Sequence, residues 1–110
     1  MDLTPRDIAR NLMDLSRQLD GLMDLSAQLD RDAVNAKIDA DVAEAQAFLK
    51  AEGSVDARRA MARIHTESER RAAEISGAAL RACRDRVKAL QVRIDTGRSL
   101  SALVRAEAQL

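Results

Sequence analysis

Apolar residues recur along this 110-residue chain three or four positions apart, the spacing of one face of a helix. In the N-terminal half they run Ile8, Leu12, Leu15, Leu19, Leu22 and on through Leu25 and Leu29. The stripe then turns small, with Ala33, Ala36, Ala40, Ala43 and Ala47, and a neighbouring row carries Val34, Ile38, Val42, Ala45 and Leu49. Alanine stripes let two helices approach closely. A second stripe follows in the C-terminal half: Met61, Ile64, Ala72, Ile75, Ala79, Ala82, Val87, Leu90 and Ile94. Between the halves lies Ala51-Glu52-Gly53-Ser54. Gly53 suits the left-handed residue that ends a helix, and Ser54 suits the cap of the next, with Asp56 in its first turn. Thr4-Pro5-Arg6-Asp7 reads as the start of the first helix, with Thr4 as cap and Pro5 at the first helical position.

The pattern predicts an all-α fold: a long antiparallel helical hairpin, coiled-coil-like, forming a single domain over residues 1–110. Its first helix covers 5–52, the turn lies near 53–54, and the second helix covers 55–108. Two positions leave alternatives open. Gly21 joins two copies of a nine-residue unit recurring at a period of ten, Leu12–Asp20 and Leu22–Asp30, which differ only at Arg17 and Ala27. Ten residues are a heptad plus three, a stammer that should overwind a coiled coil. Alternatively Gly21 breaks the helix and leaves a short separate first one. Thr96-Gly97 marks the other open position, with Ser99 able to cap a last helix. The uninterrupted reading is preferred there because no proline follows Gly97.

Composition sharpens this picture. Apolar content is 46%, but Phe48 is the one aromatic residue, so the core must be built from Leu and Ala. A single hairpin of that kind buries little, and a homo-oligomer is expected. The large side chains of the tandem repeat, Leu12, Leu15, Leu19, Leu22, Leu25 and Leu29, are the expected oligomer contact. The net charge is zero, yet unevenly divided: residues 1–53 hold eleven acidic and six basic residues, and residues 54–110 hold seven and twelve. An acidic arm folded on a basic one is electrostatically complementary. The excess of positive charge also nominates Arg81, Arg84, Arg86, Lys88, Arg93 and Arg98 as a DNA-contacting stretch. Without aromatic stacking platforms, such contact should be weak, salt-sensitive and blind to sequence.

Candidate catalytic chemistry is sparse. His65 and Glu69 share a helix face, but one His without nearby Cys leaves a metal ligand set short. Asp39 and Asp41 point to different faces of a helix. Cys83 is the lone cysteine, so an internal disulfide is excluded. No phosphate loop and no nucleophile–base set is recognisable. The expectation is a protein that is not an enzyme and takes no cofactor and no metal. Met1-Asp2-Leu3-Thr4-Pro5 lacks the apolar stretch of a signal peptide, and no apolar run approaches membrane-spanning length. A cytoplasmic location without membrane contact is therefore expected.

Two segments carry a resemblance. Phe48-Leu49-Lys50-Ala51-Glu52-Gly53-Ser54-Val55-Asp56-Ala57-Arg58 and Arg98-Ser99-Leu100-Ser101-Ala102-Leu103-Val104-Arg105-Ala106-Glu107 resemble small helical proteins of tailed phages, particularly those of actinobacteria. Those proteins have a comparable Gly-Ser turn followed by Arg and a similar closing motif. The resemblance spans roughly residues 30–110; the aromatic that often accompanies the closing motif is missing here, and the leucine repeat is particular to this chain. It implies a host-cell setting among phage replication and recombination genes, and no activity. The function expected on that basis is a non-enzymatic accessory protein that binds a recombinase, a single-strand-binding protein or a host factor, with weak DNA contact at most. Arg98, Leu100, Leu103, Val104 and Arg105 form its candidate docking segment, an apolar patch with charged edges. A structural coiled-coil adaptor unrelated to DNA, and an inhibitor of a host defence or nuclease protein, are the alternatives. Small secreted helical-hairpin dimers are set aside, because their turn carries a Trp that this chain lacks.

Overall fold

The computed structural model describes residues 4–110; the residues before Thr4, read above as no part of a signal peptide, lie outside the described residues. The chain is a helical hairpin. Helix α1 spans Pro5–Lys50, α2 spans Val55–His65 and α3 spans Glu67–Ala108. At the start of α1 the Thr4 hydroxyl accepts a hydrogen bond from the Asp7 backbone N–H at 3.1 Å. This satisfies one of the donors that a helix start leaves without a partner. At the reversal Gly53 has φ +109°, a conformation that side chains with a Cβ rarely adopt. Ser54 then caps α2 by accepting from Ala57 N–H at 3.1 Å.

Arg58 closes the turn. Its guanidinium lies 4.3 Å from the centroid of the Phe48 ring and donates from Nε and Nη2 to the Phe48 carbonyl at 3.3 and 3.1 Å. One side chain thus covers the chain's aromatic ring and satisfies a carbonyl in the last turn of α1.

Packing divides the chain into two compact units. One joins residues up to Ser26 with Ala82–Leu110, and the other is Ala27–Arg81. Inside the first, Ile8, Leu15, Leu22, Cys83, Leu90 and Ile94 are buried. The Cys83 thiol donates to the Leu22 carbonyl at 3.6 Å. Gly97 fits against Leu12 so closely that a Cβ there would lie 2.6 Å from Leu12 Cδ2. The residue is small because α3 passes Leu12, and α3 runs through it without interruption. Inside the second unit the buried residues are Ala40, Ala62, Thr66 and Leu80.

The covered positions of α1 keep one register. Ile8, Leu12, Leu15, Leu19, Leu22, Ser26, Leu29 and then Ala33, Ala36, Ala40, Ala43 and Ala47 alternate steps of four and three throughout. That is a plain heptad, so the overwinding stammer expected from the repeat is absent, and α1 runs unbroken through Gly21. The repeat's second copy is instead carried round the helix relative to the first. Leu15 is 2% exposed, while its counterpart Leu25 is 44% exposed and Ser26 takes the inward place. Ten residues are not a whole number of heptads, and the heptad wins because it keeps the row facing the other arm.

The second arm differs from a single helix over 55–108, because α2 stops at His65. Thr66 has φ −111° and ψ 20°, and its side-chain hydroxyl and backbone N–H both donate to the Ala62 carbonyl, at 2.7 and 3.1 Å. Such back-bonding bends a helix. The Arg70 guanidinium donates to the Arg63 carbonyl at 2.7 Å across this break. The break also resets the register: inward steps of four from Arg58 to Ala62 and Thr66 give way to the three–four alternation that begins at Glu69.

The second stripe read from the sequence is displaced before Val87, by two positions at Ile64 and by one elsewhere. Met61, Ile64, Ala72, Ile75, Ala79 and Ala82 are exposed, and the inward row is Ala62, Thr66, Ala73, Ser76, Leu80 and Cys83. Apart from Leu80, small residues fill the inward row of this part of the second arm, as alanines do in the facing row of α1.

Candidate functional site

The six cations nominated for DNA do not form one surface. Arg86 and Arg93 are seven residues apart on one face of α3, and with Gln18, Gly21, Leu22, Ala89 and Leu90 they line an open groove of about 350 Å³. Arg84 and Lys88, four apart, share a different face of the same helix, and Arg84 is engaged in an interaction of its own. Arg98 lies 3.9 Å from Asp95, the residue one turn before it. Arg81 belongs to the other compact unit, in a depression shared with Glu67, Arg70, Arg71 and Glu74. Folding the acidic arm on the basic one also cancels the charge asymmetry. The unit built from both termini holds eight acidic and nine basic residues, and the other holds ten and nine. Neither carries a field of one sign. The ion pairs Arg17–Asp14, Lys37–Asp41, Arg71–Glu67 and Arg98–Asp95 run along their own helices and are solvent-exposed, so each contributes little.

The docking segment at the chain's end is divided in the same way. Leu100 and Val104 are half-buried on the side of α3 that carries Gly97, while Leu103 is exposed together with Arg98 and Arg105. Of the repeat leucines, Leu15 and Leu22 are buried within this chain, Leu12, Leu19 and Leu29 are half-buried, and Leu25 alone is exposed. His65 and Glu69 line one groove with Met61, Thr66, Lys50 and Glu52. Among the described residues no three His, Cys, Asp or Glu side chains converge as a metal site would need. No described helix is long and apolar enough to cross a membrane.

What the structure does bring together lies in the unit 27–81, where the usual arrangement is inverted. Past Leu29 its interior row on α1 is alanine, and apart from Leu29, Phe48 and Leu80 its large apolar side chains are exposed. Val34, Ile38, Val42 and Leu49 lie on the face of α1 opposite the alanines, Ile64 and Ile75 lie on the outer side of α2 and α3, and Met61 stands half-covered at the edge of the groove lined by Ala43 and Ala47. Helix faces that carry apolar residues on both sides mark a segment covered on both sides. The signal was present in the sequence as the row beside the alanines. Read by size alone, however, the larger residues of the second arm pass for its core.

No protein-family model matches the chain, and neither does any curated protein or solved structure.

Proposed function

We propose that this chain is a non-enzymatic binding protein whose exposed apolar helix faces are its working surface. The observation that carries this reading is the inversion in the unit 27–81. Alanines fill the space between the helices while Met61, Ile64 and Ile75 stand 43%, 68% and 63% exposed on the second arm. The part of each side chain that still faces water gains about 25 cal/mol per Å² when a partner covers it. Near this stripe Arg71 is already paired with Glu67 at 2.7 Å, so the apolar side chains themselves are what a partner protein would cover. The resemblance of residues 30–110 supports an accessory role among phage recombination and replication functions. There the bound protein is a recombinase, a single-strand-binding protein or a host factor.

Affinity capture from phage-infected cells, with and without nuclease treatment, tests this reading. The expected result is one protein retained after nuclease treatment by the natural chain and lost by an Ile64→Glu, Ile75→Glu variant of unchanged helicity. Capture that disappears with nuclease would replace protein docking by nucleic-acid binding. In that case the groove flanked by Arg86 and Arg93 is where two cations already converge.

A further inference from the structure

We infer that α2 is a lid on α1, latched by Arg58 and able to lift as one unit between Gly53 and Thr66. Its release lays bare the stretch of α1 from Ala43 to Phe48. This concerns the motion of α2 and does not depend on what the outer apolar faces bind.

The attachment of α2 is slight. Of its 11 residues Ala62 is buried and Arg58 half-buried, and all the others are exposed. Its larger apolar side chains do little to hold it, since Val55, Met61 and Ile64 are 53%, 43% and 68% exposed. About three turns of helix thus rest on one methyl and one arginine. An open groove runs along each side of α2. One, of about 530 Å³, is lined by Phe48, Leu49, Arg59 and Ala62, and the other, of about 710 Å³, by Ala43, Ala47, Met61 and Thr66. When α2 lifts, the two grooves join into a single trough floored by Ala43, Ala47 and Phe48.

Both ends of α2 are separated from the long helices. Before it lies the non-helical segment 51–54, in which Gly53 has φ +109°. After it Thr66 leaves helical backbone and spends both its hydroxyl and its N–H on the Ala62 carbonyl. Helix propagates by adding residues to a helix already formed, and these two interruptions keep α1 and α3 from extending into α2. An isolated helix of this length is marginal in water. An element that buries so little apolar surface is the kind that opens at low free energy.

What keeps α2 down is Arg58. Among the described residues it is the one side chain of α2 that hydrogen-bonds to α1, through the Phe48 carbonyl at 3.3 and 3.1 Å. The same guanidinium lies 4.3 Å from the centroid of the Phe48 ring. The latch therefore sits on the chain's single aromatic residue, and its release is what uncovers that ring.

Amide hydrogen exchange on the full chain reads the lid, because a released α2 is too short to keep its own hydrogen bonds. Amides of 58–65 are expected to exchange as a group, with one common urea dependence, roughly tenfold faster than those of 72–80. Arg58→Ala should speed this group by roughly a further tenfold and leave 12–22 and 72–80 unchanged. Thiol labelling gives a second reading with the latch intact. Ala62 is 1% exposed, so in a Cys83→Ser background Ala62→Cys should react with a maleimide only when α2 lifts, and faster by the same factor once Arg58→Ala is added. Amides of 58–65 as slow as those of 72–80 would overturn the inference. So would exchange graded from Ser54 inward, which is fraying of one end, or an Arg58→Ala variant that speeds exchange evenly along the chain.

Discussion

At the scale of single residues, two glycines inside helices answer to different causes, and substitution should separate them. Nothing lies within 4 Å of the place a Cβ would take at Gly21. Its only effect there is the conformational freedom that weakens a helix, so Gly21→Ala should stabilise the protein by about 1 kcal/mol in urea unfolding. At Gly97 the same methyl meets Leu12 Cδ2 at 2.6 Å. Leu12 can yield to a methyl at some cost, but not to a leucine. Gly97→Leu should therefore destabilise by about 1–3 kcal/mol, the usual cost of overpacking. Arg58 offers a sharper test of the turn. Arg58→Lys keeps the charge but loses the planar fork that reaches the Phe48 carbonyl from two nitrogens while lying over the ring. A loss of about 1–2 kcal/mol is expected, from one charge-assisted hydrogen bond and part of the stacking. Equal stability of the lysine variant would show that the contact adds nothing.

At the scale of elements, the question is which side of each helix was legible. The existence of the helices and of the reversal followed from local chemistry: Thr4 and Ser54 as caps, Gly53 as the left-handed residue, and arms poor in helix breakers. The inward face of α1 was also legible, because Leu and then Ala occupy it. On the second arm the same reasoning selected Met61, Ile64 and Ile75, since a larger apolar residue is ordinarily the buried one. The close approach imposed by the alanine row reverses that preference, and only a view of both helices together shows it. Thr66 was illegible for a related reason: a threonine bonded back to its own helix has no pattern in a single sequence. The repeat misled in another way: ten residues are not a whole number of heptads, so Leu22 and Leu29 stay in the inward row while Leu25 leaves it. This predicts unequal effects from identical substitutions. Leu15→Ala should cost about 2–5 kcal/mol, and Leu25→Ala should stay within about 0.5 kcal/mol. The inversion predicts a second contrast on α1. Ala40→Leu, pointing into the close-packed row, should destabilise by about 1–3 kcal/mol. Ala45→Leu, pointing outward, should be tolerated. Matching effects at Leu15 and Leu25, or at Ala40 and Ala45, would contradict the register described for α1.

At the scale of the whole molecule, the two compact units differ in what fills them, and the difference should appear as unequal local stability. The unit formed by both termini buries Ile8, Leu15, Leu22, Leu90 and Ile94, side chains worth about 1.5–3 kcal/mol each on complete burial. The unit 27–81 buries Ala40, Ala62 and Thr66, with Leu80 its one large buried apolar residue. Alanine has a single methyl to bury, about 0.8 kcal/mol. The second unit therefore opens at lower free energy, even though α1 runs through both. Amide hydrogen exchange can read this residue by residue. Amides of 33–47 should exchange faster than those of 12–22 on the same helix. If the amides of 33–47 are instead the slowest, the alanine row is the stronger core.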